Sequence, residues 1–432
     1  MKRTDKTKRL IVISLDAVGK RDLKRMEDLP NFGRFFKRAA VCRNVESVYP
    51  SLTYPAHTSI VTGCYPKNHG IVNNLRFQPG REQPDWFWQR RFVKRTTLYD
   101  EAEKRGLKTA ALLWPVTGGA KISYNLPEIW ANRPWQNQIT VSLMNGSPGF
   151  QWDVYSRFGS MLDGVKQPAL DSFVQAAFLH TLKKYQPDLS LVHFTDVDSH
   201  RHDFGVDSPE ADEALLRHDS RLGEILDLLE EMGWQNDTNL VLLGDHYQKD
   251  TCKVSYPNYY LKKLGWLKAK GNKVTSWRVV ARECGGSCYI YLRRKKDRGR
   301  VRKWLDAWER RSGSPVERIY EGKEAAAMGA DPDCDFMLEA AEGWYFQNDL
   351  EKPWERAERQ KDPSFHLGNH GYHPAKPGYW TFFAGAGPDF VPGAEAGYMS
   401  LIDEGPTLAR LLGIELPGAD GKAVLSLLRE SR

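Results

Sequence analysis

Three carboxylates and three imidazoles stand at positions whose spacing suits a pair of bound cations. Asp16 ends an apolar run, and Asp198 and His202 lie four residues apart in DVDSHRH. Asp245 and His246 are adjacent in GDHYQ, and His370 stands in GNHGYHP. Mixed carboxylate and imidazole sets hold divalent ions of the zinc type, and the same donors accept manganese or iron. One division gives Asp198, His202 and His370 to one ion, and Asp16, Asp245 and His246 to a second. Each ion then keeps an open position, as catalytic zinc does. The group to fill it is Thr53, in PSLTYPAH at residues 50–57. A threonine hydroxyl is a poor nucleophile until a base or a metal lowers its pKa. Two ions about 4 Å apart stabilise both the attacking and the leaving oxygen of an in-line displacement at phosphorus.

Six scattered side chains converge only if the chain delivers them to one edge. RLIVISLD (9–16), LSLVHFTD (189–196) and NLVLLGD (239–245) are nearly continuous apolar runs, the pattern of strands buried on both faces of a parallel sheet. Between the last two, Ser208 caps and Pro209 opens a helix on which Leu215, Leu222, Ile225, Leu226 and Leu229 recur at helical spacing. Strand, helix, strand is the βαβ unit, so the fold class is α/β: a mostly parallel central sheet between helical layers. Each run ends in or near an acid, and ligands of open α/β sheets bind outside the carboxyl ends of the strands. Pro55 suits the first turn of a helix through AHTSIVTG, ended by Gly63, which places Thr53 at its amino end. Helix dipole and free N–H groups there favour a phosphoryl anion.

Residues 1–246 and 366–432 read as the catalytic domain. Residues 247–365 read as an α+β insertion, because histidines return only at 366–373. A smaller stretch, 75–165, is rich in tryptophan, proline and glycine and supplies loops for a substrate pocket.

Composition narrows the function. The 432 residues are 41% apolar and 12% aromatic, ordinary for a folded enzyme. The net charge of +7, from 62 basic and 55 acidic residues, is too mild to demand a polyanionic partner. The densest basic run, YLRRKKDRGRVRK at 291–303, is broken by an acid and lacks interleaved aromatics. No nucleic-acid partner is therefore expected. No apolar stretch approaches the roughly 18 residues of a membrane span. The basic start lacks a signal-peptide cleavage site. The six cysteines, including CGGSC, lack zinc or redox spacing, which suits free thiols in the cytoplasm.

YPSLTYPAHTSIVTGCYPKNHGIVNN resembles the nucleophile segment of the nucleotide pyrophosphatase/phosphodiesterases of the alkaline phosphatase superfamily. DVDSHRHDFG, GDHYQ and GNHGYHP are similar to that family's metal-binding blocks, in the family's order, and LLWPVTG (112–118) resembles a Trp-Pro loop beside its active site. The resemblance implies an alkaline-phosphatase-like three-layer sandwich and the two-ion division above, most often filled by zinc. It implies a phosphothreonine at Thr53, which also touches a metal, and Asn74 donating to a phosphoryl oxygen. It further implies that Tyr54 stacks on a nucleobase and that Trp114 faces the substrate. Three family glycines are replaced, by Ala17, Arg201 and Tyr247, and these departures are expected to reshape the pocket rim.

The resulting expectation is a metal-dependent hydrolase of phosphodiesters or nucleotide phosphoanhydrides. A diester carries one negative charge, for which neutral Asn74 suffices, whereas a monoester dianion calls for arginine. Arg76 keeps a phosphomonoesterase or phosphonate hydrolase as the alternative. A sulfatase is excluded, because CYPKN lacks the final arginine and threonine cannot become formylglycine. His57 and His69 read as structural, His193 as a core histidine, and His180 and His218 as surface residues. His200, His366 and His373 read as neighbours of ligands.

Overall fold

The apolar run at residues 9–16 forms the strand Arg9–Leu15, and its alternate side chains enter two different cores. Ile11, Ile13 and Leu15 pack with Phe173, Phe178, Leu222 and Ile225 on one face. Leu10 and Val12 pack with Ala56, Ile60, Val61 and Leu408 on the other. Period-two alternation with both faces apolar therefore produces three layers: helices, sheet, helices. The structure is a computed structural model describing residues 8–360 and 362–430.

The central sheet has nine strands. Its core order runs Ala40–Glu46, Thr381–Ala386, Thr238–Leu243, Arg9–Leu15, Leu189–Phe194, Thr109–Leu112, Tyr124–Leu126. The last five are mutually parallel, whereas Thr381–Ala386 runs antiparallel to both its neighbours. Register decides where the acids emerge. Ser14 lies level with His193 on one side and Leu243 on the other, so the three strands end together. Asp16, Asp198 and Asp245 follow at that common edge.

The Pro209–Glu231 helix packs along one face, its start fixed by the Ser208 hydroxyl accepting from the Ala211 N–H at 3.2 Å. Within residues 247–365 the chain forms separate sheets. One is antiparallel, in the order Val279–Glu283, Ser287–Leu292, Phe336–Ala340, Val316–Glu321, with the Arg298–Glu309 helix packed on it through Val301, Leu305 and Trp308. A second centres on Lys249–Ser255, which also pairs with Gly368–Asn369, and a third is the two-stranded ribbon of Leu267–Lys270 and Lys273–Trp277. That pairing returns the chain to the site and sets His370 beside the strand ends. Among the described residues no helix is long and apolar enough to cross a membrane.

Candidate active site

Thr53 is the first residue of a ten-residue helix, Thr53–Thr62, every one of whose residues is buried. Leu52 before it is extended and Gly63 after it is left-handed at φ 64°, so both ends are sharply set. The helix carries Ala56, Ile60 and Val61 into the core, which fixes the height of Thr53 over the sheet edge. Its hydroxyl oxygen lies 3.1 Å from His246 Nε2. The same nitrogen lies 3.4 Å from Asp16 Oδ1 and 3.2 Å from Asp245 Oδ2.

Two ligand groups meet at His246. Donor atoms of Asp16, Asp245 and His246 all lie within 4.8 Å of one another, as do those of Asp198, His246 and His370. The second group differs from the expected division, in which His202 accompanied Asp198 and His370. The reason is packing: the His246 ring stacks on His370 at 4.1 Å between centroids, and so reaches both groups. His202 stands beside them, its Nε2 3.4 Å from Asp198 Oδ2 and its Nδ1 donating to the Gly368 carbonyl at 2.8 Å. That backbone bond leaves Nε2 as the lone-pair nitrogen aimed at the site, the usual arrangement for a ligating histidine.

The electrostatics suit a cation. Burial, reinforced by their mutual charge, raises the Asp16, Asp198 and Asp245 carboxyls far above the usual range, Asp198 to about 7. Burial lowers the imidazoles of His246 and His370, and that of His202 to about 4, so they remain neutral donors. Asp16 Oδ1, Asp245 Oδ2, His246 Nδ1 and His370 Nδ1 are buried without a hydrogen-bond partner among the described residues. Buried polar atoms are almost always satisfied. Their convergence fits two divalent ions, whose ligand types these residues supply.

Asn74 sits opposite. Its Oδ1 accepts from the Tyr54 N–H at 2.9 Å, which turns its amide donors toward the cleft. The cleft has a volume of about 430 Å³ and includes Thr53, Asn74, Asp198, His202 and His370 in its walls. Among the described residues that line it there is no lysine or arginine. Arg76, the residue that kept the monoester alternative open, is turned away, with its guanidinium over the Phe92 ring and 3.7 Å from Asp85.

Two aromatic expectations change. Trp114 does not line the cleft: it is fully buried behind the nucleophile helix, edge-on to His57 at 4.9 Å. The core strand Thr109–Leu112 runs directly into it and carries it inward. Tyr54 borders the cleft but is itself fully buried, its ring against Trp86 at 5.2 Å and its hydroxyl donating to Glu128 at 3.0 Å. The half-buried indole of Trp86 is the ring left facing the cavity.

The three glycine replacements also lie elsewhere than expected. Ala17, Arg201 and Tyr247 are buried behind the ligands, not on the rim. Arg201 donates to the Ala17 carbonyl and, at 2.6 Å, to Asp22, and its guanidinium lies 4.7 Å over the Tyr247 ring. Ala17 holds φ 60°, a strained value for a residue with a Cβ, and its N–H reaches Asp245 Oδ1 at 3.2 Å. One cluster thus ties together the segments that carry Asp16, His202 and His246.

Sequence reasoning missed two residues. His193 is a cleft residue as well as a core one, with Nε2 3.0 Å from Asp16 Oδ2 and Nδ1 3.3 Å from Glu128 Oε2. Burial pulls its imidazole down, yet those two carboxylates outweigh it and raise it well above the ordinary histidine value. Glu128 gives no signal in NLPEIW. His218, read as a surface residue, is buried beside Arg221. His57 is structural in position, 2.8 Å from the Thr53 carbonyl.

Comparison with known proteins finds relatives of one family. The chain is 28% identical to human ectonucleotide pyrophosphatase/phosphodiesterase family member 1 over 248 residues, covering 54% of this chain and 23% of that protein. It is 23% identical to bovine bis(5'-adenosyl)-triphosphatase ENPP4 over 94% of this chain and 78% of that one. It spans only about a quarter of the first of these relatives. The solved structure of human ectonucleotide pyrophosphatase/phosphodiesterase 5 superposes with a TM-score of 0.69 at 20% identity, covering 98% of this chain and 100% of that one. A mouse structure of the same name, an inactive variant in complex with AMP, gives 0.68 at 20% identity over the same shares. The fold is therefore that of the alkaline-phosphatase-like sandwich. The family model for type I phosphodiesterase / nucleotide pyrophosphatase matches residues 10–373, and the chain belongs to that family.

Proposed function

We propose that this protein is a two-metal phosphodiesterase or nucleotide pyrophosphatase that works through a phosphothreonine at Thr53. The observation that carries the reading is the Thr53 hydroxyl at a helix amino end, 3.1 Å from His246 Nε2 and bordered by both ligand groups. Asp16, Asp245, His246 and Thr53 would hold one divalent ion, and Asp198, His202 and His370 the other, zinc being the favoured metal. When bound, such ions lower the pKa of a coordinated hydroxyl and offset charge on phosphoryl oxygens.

The chain's own groups do the rest. The nucleophile helix holds the Thr53 oxygen 3.1 Å from His246 Nε2, on the side of the Asp16, Asp245 and His246 group that faces the cleft. Thr53 Oγ1, its proton passed to solvent water, bonds phosphorus as the bond to the leaving oxygen breaks, and that oxygen takes a proton from water. Water then displaces Thr53 and releases the phosphorylated product. Asn74 donates to a non-bridging oxygen through the amide hydrogens its contact with Tyr54 leaves free. His193 bridges Asp16 and Glu128 and so fixes which Asp16 oxygen faces the ions.

Among the described residues lining the cleft there is no guanidinium or ammonium, which favours a singly charged diester over a monoester dianion. A nucleotide substrate is supported by the AMP held in the mouse relative. The same reading assigns residues 1–246 and 366–432 to the catalytic unit and 247–365 to an inserted one. A cytoplasmic location is part of the proposal, supported by free cysteines, all but Cys252 buried.

The test compares bis-p-nitrophenyl with p-nitrophenyl phosphate on protein whose metal content has been measured. Diester turnover faster by tenfold or more, with two ions per chain, is the expected result. Faster monoester turnover overturns the diester assignment, and a single ion per chain overturns the division of ligands.

A further inference from the structure

Four carboxylates line the catalytic cleft: Asp16, Glu128, Asp198 and Glu283. Asp16 and Asp198 belong to the two ligand groups. Glu128 is taken up by the Tyr54 hydroxyl and His193. Glu283 has no such partner: among the described residues its carboxylate receives no hydrogen bond from another residue and enters no ion pair. Burial raises its carboxyl above the ordinary range. A polar group withdrawn from water without a partner is costly, and a ligand that brings hydrogen-bond donors relieves that cost.

Glu283 ends the strand Val279–Glu283, which the stretch 247–365 delivers to the cleft. Its backbone is fixed between the segment of Asn74 and a metal ligand. The Asn73 amide donates to the Glu283 carbonyl at 2.8 Å and lies 3.1 Å from Cys284 Sγ. The Gly286 N–H donates to the His370 carbonyl at 2.7 Å, and a Cβ on Gly285 would come within 2.4 Å of that same oxygen. The segment carrying the carboxylate is thus held against the site. Arg76, Arg81 and Arg282 share a neighbouring groove with Glu283, and none of the three lines the cleft. Arg76 and Arg81 each stand 3.7 Å from Asp85, and Arg282 donates to the Leu75 carbonyl. A substrate anion placed beside Glu283 would therefore meet a carboxylate with no ion-pair partner, and like charges repel strongly where water is scarce.

We propose that Glu283 selects the substituent on phosphorus: it accepts hydrogen bonds from hydroxyl or ammonium groups of the substrate and turns away an anionic substituent such as a further phosphate. The inference rests on the phosphodiesterase reading of the Thr53 cleft and narrows it to esters of donor-bearing alcohols over nucleoside polyphosphates. No new bond chemistry is involved. Specificity of this kind combines an attraction for one class of substrate with a repulsion for the other.

The test uses three AMP esters of similar size and leaving-group basicity, the 2-hydroxyethyl, 2-aminoethyl and carboxymethyl esters, with AMP release measured on the metal-loaded enzyme. The expected result is a kcat/KM at least about tenfold higher for the hydroxyethyl and aminoethyl esters than for the carboxymethyl ester. The faster of the first two shows whether a hydroxyl or an ammonium is the preferred donor. Glu283→Gln keeps the size of the side chain and removes its charge, and should bring the carboxymethyl ester to within about threefold of the hydroxyethyl ester. Equal turnover of all three esters by the wild type overturns this inference while leaving the catalytic reading in place. A tenfold preference that survives Glu283→Gln overturns it as well, because the discrimination then arises elsewhere. Hydrolysis of bis-p-nitrophenyl phosphate without hydrolysis of any AMP ester overturns this inference alone, whereas failure on that diester too removes the catalytic reading with it.

Discussion

The cleft has two walls built on opposite terms. The strand-end wall is made of buried charge: Asp16, Asp245 and His246 emerge from neighbouring parallel strands and are braced from behind by Arg201, Tyr247 and Ala17. The facing wall includes Leu75, Trp86 and Glu128, from the stretch 75–165, whose outer side carries several exposed aromatic and aliphatic groups on short helices and loops. The first wall has no freedom, because every displaced ligand leaves a buried carboxylate unpaired. The second can change without touching the chemistry. A fixed reaction centre facing an adaptable specificity surface is what this difference supplies.

The largest effect should come from the strand-end wall's partner. Thr53→Ala removes the attacking oxygen and is expected to lower kcat by at least roughly ten-thousandfold, as loss of a nucleophile does in other hydrolases. Metal content should remain at the wild-type level, because the carboxylates and imidazoles are untouched. Near-normal turnover in this variant would take Thr53 out of the reaction.

Next is the brace. Arg201→Leu leaves the Asp22 carboxylate buried without its guanidinium and removes the bond to the Ala17 carbonyl. Breaking a buried ion pair from one side costs about 3–5 kcal/mol. Denaturant unfolding should show that loss, and metal affinity should fall with it. An unchanged unfolding midpoint would mean the two walls do not differ in rigidity as argued.

What could be read in advance follows the same division. Each strand-end ligand follows an apolar run or sits in a short block of unusual composition, and parallel register then forces convergence; that is local information multiplied by one topological rule. The Pro55 and Gly63 signals likewise bounded the nucleophile helix to within a turn. The facing wall is different. Whether Trp114 or Trp86 faces the cavity depends on packing between segments far apart in the chain, which periodicity does not encode. Glu128 and His193 are single letters, meaningful only once Asp16 lies between them and the ions. Ala17, Arg201 and Tyr247 looked like three separate departures; their common cluster exists only in three dimensions.

A pH experiment sharpens the contrast in dryness. His69, buried between the nucleophile helix and the loop after it, lies 3.0 Å from the Ser59 hydroxyl and accepts from the Ile71 N–H at 3.1 Å. Burial lowers its imidazole to about 3, from an ordinary 6.5. Between those values the unfolded chain binds a proton that the folded chain refuses. Its stabilising contribution is therefore complete above about pH 6.5 and is lost as pH falls toward 3. The stability advantage of wild type over His69→Gln should narrow by about 1.4 kcal/mol between pH 7.5 and 5.5. A pH-independent difference in urea melts would show that water reaches this ring.

The smallest effect belongs to the outer side of the stretch that supplies part of the facing wall. Met144 is 79% exposed and Trp152 71% exposed, so neither side chain contributes much buried area to folding. Exposed substitutions away from caps, ion pairs and special backbone positions change stability by about 0.5 kcal/mol or less. Met144→Lys and Trp152→Arg should stay within that limit in thermal or urea melts. They should also leave hydrolysis of a small diester such as methyl p-nitrophenyl phosphate within twofold of wild type, since neither residue touches the Thr53 cleft. A destabilisation of 2 kcal/mol or more, roughly the scale of losing a buried side chain, would show that these apolar groups belong to the structural core after all. The wall would then be as constrained as the one it faces, and the division of labour between them would disappear.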